Sequence, residues 1–409
     1  MQTSGSSVAI QGVLSRSKSV SIIDLVDSLV EQAALQRASD IHIDCTKPGL
    51  RVRFRIDGVL HEIATLPASV RSEVVSRIKV LAHLRTDEHQ AAQDGRFRHT
   101  LQGDGTLDLR VSIVPTYHGE SVVLRLLSDR AADFTLEELG FSKKDTVKIL
   151  AAIKRPSGMI LSTGPTGSGK TTTLYTLIKL LNKPERKIIT IEDPIEYAID
   201  NIEQIQVNPR AGLNFGGGLR AVLRRDPNII MVGEIRDSET ATVAVNTALT
   251  GHLLLSTLHT SDAATTLPRL FDLHVDPYLV ATTINLAIGQ RLVRKICTAC
   301  KVELKVTPEL VESLELLHLA QPFMAGEQLF AGQGCAACSG SGYTGRICVS
   351  EVLVATVAIC EAILRKAPAS ELTRIAVAEG MTTLLEDGMN KVRAGHTTID
   401  EILRVVHNS

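Results

Sequence analysis

Eight consecutive residues, Gly164-Pro165-Thr166-Gly167-Ser168-Gly169-Lys170-Thr171, combine three glycines, a lysine and three hydroxyls in the spacing G-x-x-x-x-G-K-T, and Thr172 follows directly. Each residue type has a mechanical use. Glycines let backbone N–H groups turn inward around phosphate oxygens. A lysine at this position reaches β- and γ-phosphates, and the Thr171 hydroxyl can ligate Mg²⁺. The flanks agree with that chemistry. Met159 to Thr163 is a short, largely apolar run that predicts a buried strand. Leu174, Leu177, Ile178 and Leu181 predict a helix after the loop. A phosphate held between that strand and that helix would meet the positive end of the helix dipole.

Two apolar runs downstream end in acids. Ile188 to Ile191 leads into Glu192-Asp193-Pro194-Ile195-Glu196, and Asn228 to Val232 leads into Gly233-Glu234. Carboxylates at the C-terminal ends of parallel strands face the ligand crevice of an open α/β sheet. Beside a phosphate they would serve Mg²⁺ or an attacking water; the alternative is a solvated acidic turn. The second run reads as a Walker B strand with glycine where aspartate is usual, which leaves Glu234 to organise Mg²⁺. His252 and His259 bracket a third run and are candidates for sensing a γ-phosphate. Arg220, Arg224 and Arg225 share one predicted helix, Arg236 follows Glu234, and Arg96, Arg110 and Arg125 lie far upstream. Guanidinium groups bind phosphate bidentately, although a single arginine is more often a surface ion pair.

Cys297-x-x-Cys300 and Cys335-x-x-Cys338 offer four thiolates to one tetrahedral Zn²⁺; the alternative is four unlinked reduced thiols. The 34 residues between the two knuckles exceed the spacing of a compact ribbon, so the chain between them must fold back. Cys45, Cys348 and Cys360 read as ordinary buried thiols.

These groups need a frame. From residue 158 the pattern alternates: strand 159–163, helix 171–182, strand 187–192, helix 217–225, strand 228–232, helix 238–249, strand 252–257. That order predicts a parallel, doubly wound sheet. Upstream, a helix over 22–38 and a helix over 68–84 intersperse with short alternating strands at 41–43, 50–56, 59–63, 96–101, 107–114 and 121–127. Asp57-Gly58 is a hairpin signal among them. The expected layout is a disordered Ser-rich tail over 1–20, an α+β domain over 21–130, a linker over 131–141 and the phosphate-binding α/β domain over 142–409. Within the last, 295–348 is a cysteine-bearing insert and 351–409 a helical region.

The 409 residues carry 44 basic and 45 acidic side chains, a net charge of −1, which argues against a broad nucleic-acid surface. Aromatics make up 3% with no Trp, too few for base-stacking platforms. No apolar run approaches the roughly 18 residues of a membrane span, and residues 1–21 do not read as a secretory signal. The chain therefore reads as cytoplasmic, where seven cysteines point to free thiols or metal and not to disulfides.

Taken together, the phosphate loop, Glu192-Asp193-Pro194-Ile195-Glu196, Val232-Gly233-Glu234-Ile235-Arg236-Asp237 and the His252/His259 box resemble the secretion superfamily ATPases. Arg37-Ala38-Ser39-Asp40-Ile41-His42, Arg53-Phe54-Arg55-Ile56-Asp57-Gly58 and the stretches around Arg110 and Arg125 resemble that family's second N-terminal domain. The tetracysteine element followed by Gly342-Tyr343-Thr344-Gly345-Arg346 is similar to the type II secretion and type IV pilus extension branch; the retraction branch typically lacks it. The resemblance implies a RecA-like P-loop ATPase domain (α/β) preceded by a small α+β, PAS-like domain. It implies a cytoplasmic homo-hexamer, peripheral to the inner membrane, that uses ATP, Mg²⁺ and a structural Zn²⁺. Its partners would be a polytopic inner-membrane platform protein and a cytoplasmic or membrane assembly protein, with no specific nucleic acid. The work done would be assembly of pilin or pseudopilin fibres.

The resemblance also distributes roles. Glu196 activates water and Glu234 supports Mg²⁺. His259 and His252 sense the nucleotide. Arg110 and Arg125 reach the phosphates from the N-terminal domain, with Arg220, Arg224, Arg236 and Arg269 on the catalytic side. Family members usually carry a further N-terminal recruitment domain, whereas about 20 residues precede the helix at Ile22 here. The expectation is a short member or a truncated chain. The rival readings are a nucleic-acid translocase of the same superfamily and a nucleotide-switched scaffold.

Overall fold

Alternating apolar and polar residues between Ala38 and Leu127 form six strands of an antiparallel sheet. In the computed structural model these are β1 (Ala38–Cys45), β2 (Gly49–Ile56), β3 (Val59–Pro67), β4 (Gln93–Leu101), β5 (Gly105–Thr116) and β6 (Gly119–Leu127), in the order β3-β2-β1-β6-β5-β4. The structure describes residues 21–102, 105–127, 134–317 and 319–407. The tail expected over 1–20 and the start of the linker, 131–133, lie outside them. One face of the sheet packs Ile41, Val52, Phe54, Leu109 and Leu124 against Leu25 and Leu29 of the helix Ile22–Leu35 and Val74 and Ile78 of the helix Arg71–Leu81. The first helix stops at Leu35, short of the expected 38. Arg37 takes a positive φ of 55° and Ala38 already belongs to β1. Asp57 and Gly58 both have positive φ, as a two-residue hairpin turn requires.

A second sheet follows: β7 (Gly158–Thr163), β8 (Ile188–Glu192), β9 (Glu203–Gln206), β10 (Ile229–Val232), β11 (Leu253–Leu258) and β12 (Ile284–Ile296). Beyond it come a two-stranded ribbon, β13 (Lys301–Lys305) with β14 (Gln328–Gly332), and then β15 (Tyr343–Val354). The sheet order is β15-β12-β7-β11-β10-β8-β9. Every residue of β7, β8, β10 and β11 is buried. Strands covered on both faces need such unbroken runs, which is why they were readable as strands in the sequence. The fold class is α/β with a preceding α+β unit. The sheet, however, is mixed, because β15 runs antiparallel to β12. The insert is also narrower than 295–348: both of its flanks are strands of the main sheet.

The described strands belong to two compact units, residues up to 130 with the loop 334–341, and the remainder. In the second unit the C-terminal helices are fastened to β12 by Glu401. Its carboxylate takes Arg294 Nη2 at 2.5 Å, Arg294 N at 3.1 Å, Arg404 Nε at 2.9 Å and Arg404 Nη2 at 2.7 Å. Burial pushes this carboxyl up, but the hydrogen bonds from Arg404 and Arg294 outweigh it and hold the group at about 2. A carboxylate depressed in this way contributes its full stability above its unfolded value of about 4.3 and loses it as pH falls toward 2. Glu401→Gln is therefore expected to destabilise the protein by about 3 kcal/mol at neutral pH. In urea unfolding the gap between variant and parent should narrow below about pH 4; an unchanged gap would refute the assignment.

Candidate functional site

The glycine-rich loop joins β7 to the helix Lys170–Leu181. Gly164, Gly167 and Gly169 all take positive φ, and Gly169 caps the helix at φ 90°. A Cβ on Gly164 would lie 2.5 Å from Gln290 O and 2.6 Å from Ser168 Oγ, so this position excludes any side chain. Pro165, Thr166 and Gly167 form the exposed crown. Lys170 is buried, and its Nζ donates to Gly164 O at 2.8 Å and Pro165 O at 3.0 Å. The lysine thus closes back on carbonyls of its own loop. Thr171 and Thr172, half-buried, begin the helix beside it. Gln290 of β12 braces the loop from behind, donating from Nε2 to Ser168 O at 2.9 Å and accepting from Ser162 Oγ at 3.0 Å. Nothing in the motif pointed to Gln290, because β12 is distant in sequence.

Glu234 follows the end of β10 and is buried. Its Oε2 lies 2.5 Å from Arg236 Nε and 3.3 Å from His259 Nε2. Both are ion-pair contacts, and Ser168 Oγ nearby is a buried polar atom without a hydrogen bond. A carboxylate met only by side chains and a buried hydroxyl left over fit a site that takes a hydrated cation and phosphate oxygens. Burial depresses the Lys170 ammonium to about 8; Glu234 raises it in part and Arg291 lowers it further. His259 is lowered, chiefly by burial and then by Lys170, so its ring is neutral at pH 7.

The histidines separate. His259 follows the end of β11, whose Leu258 pairs with Thr163 directly before the loop. His252 precedes the start of the same strand, with Nδ1 3.1 Å from Thr247 O and its own carbonyl bonded to Gly158 N. Six extended residues span about 20 Å, so bracketing a strand places the two rings on opposite edges of the sheet. His252 stands with the strand starts and His259 with the strand ends.

Glu192 also departs from expectation. It is turned inward, accepting from Tyr175 Oη, from Thr190 Oγ1 at 2.5 Å and from Gln204 Nε2 at 3.1 Å. Burial and the adjacent Glu192 carboxylate raise the Tyr175 phenol far above its ordinary range, so Tyr175 keeps its proton and donates it. Tyr175 Oη also accepts from Glu196 N at 3.4 Å, while Gln204 holds Tyr197 O at 3.2 Å and Ile199 N at 2.8 Å. Glu192 is thus the buried anchor of the loop that carries Asp193 and Glu196.

The arginines divide as well. Arg220 pairs with Glu239, Arg225 with Glu203 at 2.9 Å and Arg269 with Asp272 at 3.8 Å, while Arg224 turns back to Arg220 O at 3.2 Å. These are exposed pairs of the ordinary surface kind, whereas Arg236 is drawn to Glu234. In the first unit the strand registers set Arg96 opposite Arg110, Arg110 opposite Arg125, Arg125 opposite Asp40 and Asp40 opposite Arg55. Four guanidinium groups and one carboxylate therefore cross the sheet in a single stripe. Asp40 takes Arg125 at 3.0 Å and Arg55 at 3.5 Å. Like charges facing across strands repel, and a bound polyanion relieves that repulsion.

The sulfurs of Cys297, Cys300, Cys335 and Cys338 all lie within 4.8 Å of one another. A Zn²⁺ with bonds of about 2.3 Å needs sulfurs about 3.8 Å apart, and Cys335 and Cys338 stand at 3.7 Å. The long gap is closed by the ribbon: β13 pairs antiparallel with β14, with Lys301 opposite Gly332, so the residues beside each knuckle are brought level. Gly332 and Gly342 pass so closely that a Cβ on Gly332 would lie 2.0 Å from Gly342 O.

Residues 15–404 match the type II/IV secretion system protein family. The chain is 46% identical over 388 residues to type II secretion system protein E of Xanthomonas campestris, covering 95% of this chain and 68% of that one. It is 44% identical over 378 residues to the type IV pilus assembly ATPase PilB of Thermus thermophilus, covering 92% of this chain and 42% of the longer relative. Among solved structures, the pilus retraction motor PilT with bound ADP is 25% identical, with 92% of this chain and 96% of that chain covered and a TM-score of 0.62. The Legionella pneumophila ATPase DotB shares the fold, with a TM-score of 0.69 over 96% of this chain and 98% of that chain at 24% identity.

A phosphate at the loop would raise the Lys170 pKa above its free value of about 8. Affinity is then constant below that pH and weakens above it, with proton uptake on binding. Calorimetry of ADP binding at about pH 8.5, in two buffers of different ionisation enthalpy, should show that uptake. Equal heats in both buffers would contradict it.

Proposed function

We propose, for a chain that belongs to the type II/IV secretion system protein family and is an ATP-hydrolysing member of it, a hexameric motor that drives assembly of pilin or pseudopilin fibres. The reading rests on one convergence: the glycine-rich loop, Glu234 and His259 meet at the C-terminal ends of the parallel strands β7, β10 and β11, around a buried lysine answered only by two loop carbonyls. In this reading Lys170 exchanges its two loop carbonyls for β- and γ-phosphate oxygens. Thr171 and Glu234 hold Mg²⁺, which when bound neutralises charge on the phosphates. Glu196, steadied by the Tyr175–Glu192–Gln204 anchor, takes the proton of the attacking water. His259, neutral, hydrogen-bonds the γ-phosphate. The stripe containing Arg110 and Arg125 offers positive charge to a polyanion, and Arg236 holds Glu234 in place.

Four thiolates at these distances favour a structural Zn²⁺. No helix among the described residues is long and apolar enough to cross a membrane. Force would pass to a polytopic inner-membrane platform protein, with the motor peripheral to that membrane and a further assembly protein recruiting it. The near-neutral net charge disfavours a nucleic-acid cargo.

Lys170→Ala and Glu196→Gln should each lower ATP turnover at least about 100-fold relative to the parent. Full turnover in both would sink the site assignment. Metal analysis of protein purified under reducing conditions should give about one zinc per chain. Near-zero zinc, with unchanged folding of Cys297→Ser, would defeat the zinc reading.

A further inference from the structure

Glu351 belongs to none of the motifs above, yet it is a buried carboxylate with both oxygens engaged. It sits on β15 opposite Gly289 of β12. Oε1 accepts from Ala263 N at 2.7 Å, and Oε2 accepts from Leu384 N at 3.2 Å. Ala263 lies in the loop that starts at His259. Leu384 begins the helix Leu384–Arg393, and its N–H is one of the free donors of that helix end. To reach Ala263 the side chain crosses over Gly289. A Cβ there would lie 2.9 Å from Glu351 Cγ, Glu351 Oε1 and Ala263 N alike. Gly289 in turn pairs with Thr163, the last residue of β7 before the phosphate loop, whose hydroxyl contacts Leu258 O at 3.1 Å and Thr260 N at 3.1 Å. Arg291 holds the same loop at a second point, donating to Ser261 O at 2.5 Å.

We infer that Glu351 is a positioning residue: it fixes the loop that presents His259 to the nucleotide and ties that loop to the C-terminal helix Leu384–Arg393. The inference rests on the reading of His259 as a phosphate-facing group. A neighbouring contact supplies the control. Ser350 N donates to Asp387 Oδ2 at 2.8 Å, so Asp387 fastens the same helix to β15 without touching the His259 loop.

In the full-length chain, Glu351→Gln presents an amide N–H₂ to one of the two N–H donors it now accepts from, and so cannot keep both contacts. Gly289→Ala disturbs the crossing without altering Glu351 itself. Both variants should lose about 10- to 100-fold in kcat with the KM for ATP held within about threefold. Asp387→Asn should lower the melting temperature and leave kcat near the parent's. Gly289→Ala carries the test if Glu351→Gln does not fold. A folded Glu351→Gln with kcat within about twofold of the parent overturns the role, as does a loss matched by Asp387→Asn. A parent protein without turnover refutes the ATPase reading, and the positioning role falls with it.

Discussion

A buried cation must be answered, and in the second unit that requirement falls on Lys170. Its ammonium is taken out of water by the helix it begins and by the loop it closes, and two carbonyls of that loop answer it. Neutral carbonyls are weaker partners than anions. Burial, with a further push from Arg291, depresses the lysine to about 8, and it remains poised for a stronger acceptor. The surroundings serve this state. Gln290 braces the loop so that its carbonyls stay in reach, β7 delivers the loop at the sheet edge, and Glu234 stands near enough to keep the charge on. Hydrophobic burial of β7, β8, β10 and β11 fixes that edge, because parallel strands enclosed on both faces cannot slip register without exposing their cores.

Legibility in the sequence followed locality. The phosphate loop, the acids after β8 and β10 and the two cysteine knuckles are short patterns, each interpretable within ten residues. Strands whose runs are uniformly apolar were equally plain. What escaped depends on partners far along the chain. Gln290 and Arg291 matter because β12 lies beside β7, yet β12 begins some 120 residues later. Glu192 looked like a site acid because it ends a strand. Its orientation is decided by Tyr175 and Gln204, which no strand-end rule can supply. The two histidines are seven residues apart in sequence, but the extended strand Leu253–Leu258 between them separates them by about 20 Å. The antiparallel β15 was hidden for a similar reason. Its first residues belong to the cysteine region and only its second half reads as a buried run.

Carboxylates recur in two distinct employments. Glu192, Glu351, Asp387 and Glu401 are buried and spend their acceptor capacity on backbone N–H groups and on neighbouring tyrosine, lysine or arginine, which fixes loops and helices to the sheet. Glu234 is met instead by ion-pair contacts from two part-exposed side chains, Arg236 and His259. The distinction is not visible in residue type or in burial. It lies in whether the partners are fixed within the fold or are side chains that can turn toward a ligand, and that is what separates an anchoring acid from one available to a nucleotide site.

The hairpin of β13 and β14 sets the cysteines level by pairing residues next to each knuckle. The described residues between the two strands are not slack: Val306, Leu314 and Phe323 are buried in the core that also holds Val293, Ile347 and Met389, and Glu327 accepts from Arg393 Nε at 3.0 Å. Lys301, beside the first knuckle, donates to Gly395 O at 2.7 Å. The cysteine region is therefore tied to the C-terminal helices twice, once through the strands that carry the knuckles and once through the segment they enclose, and a disturbance at the thiolates reaches that core along both routes.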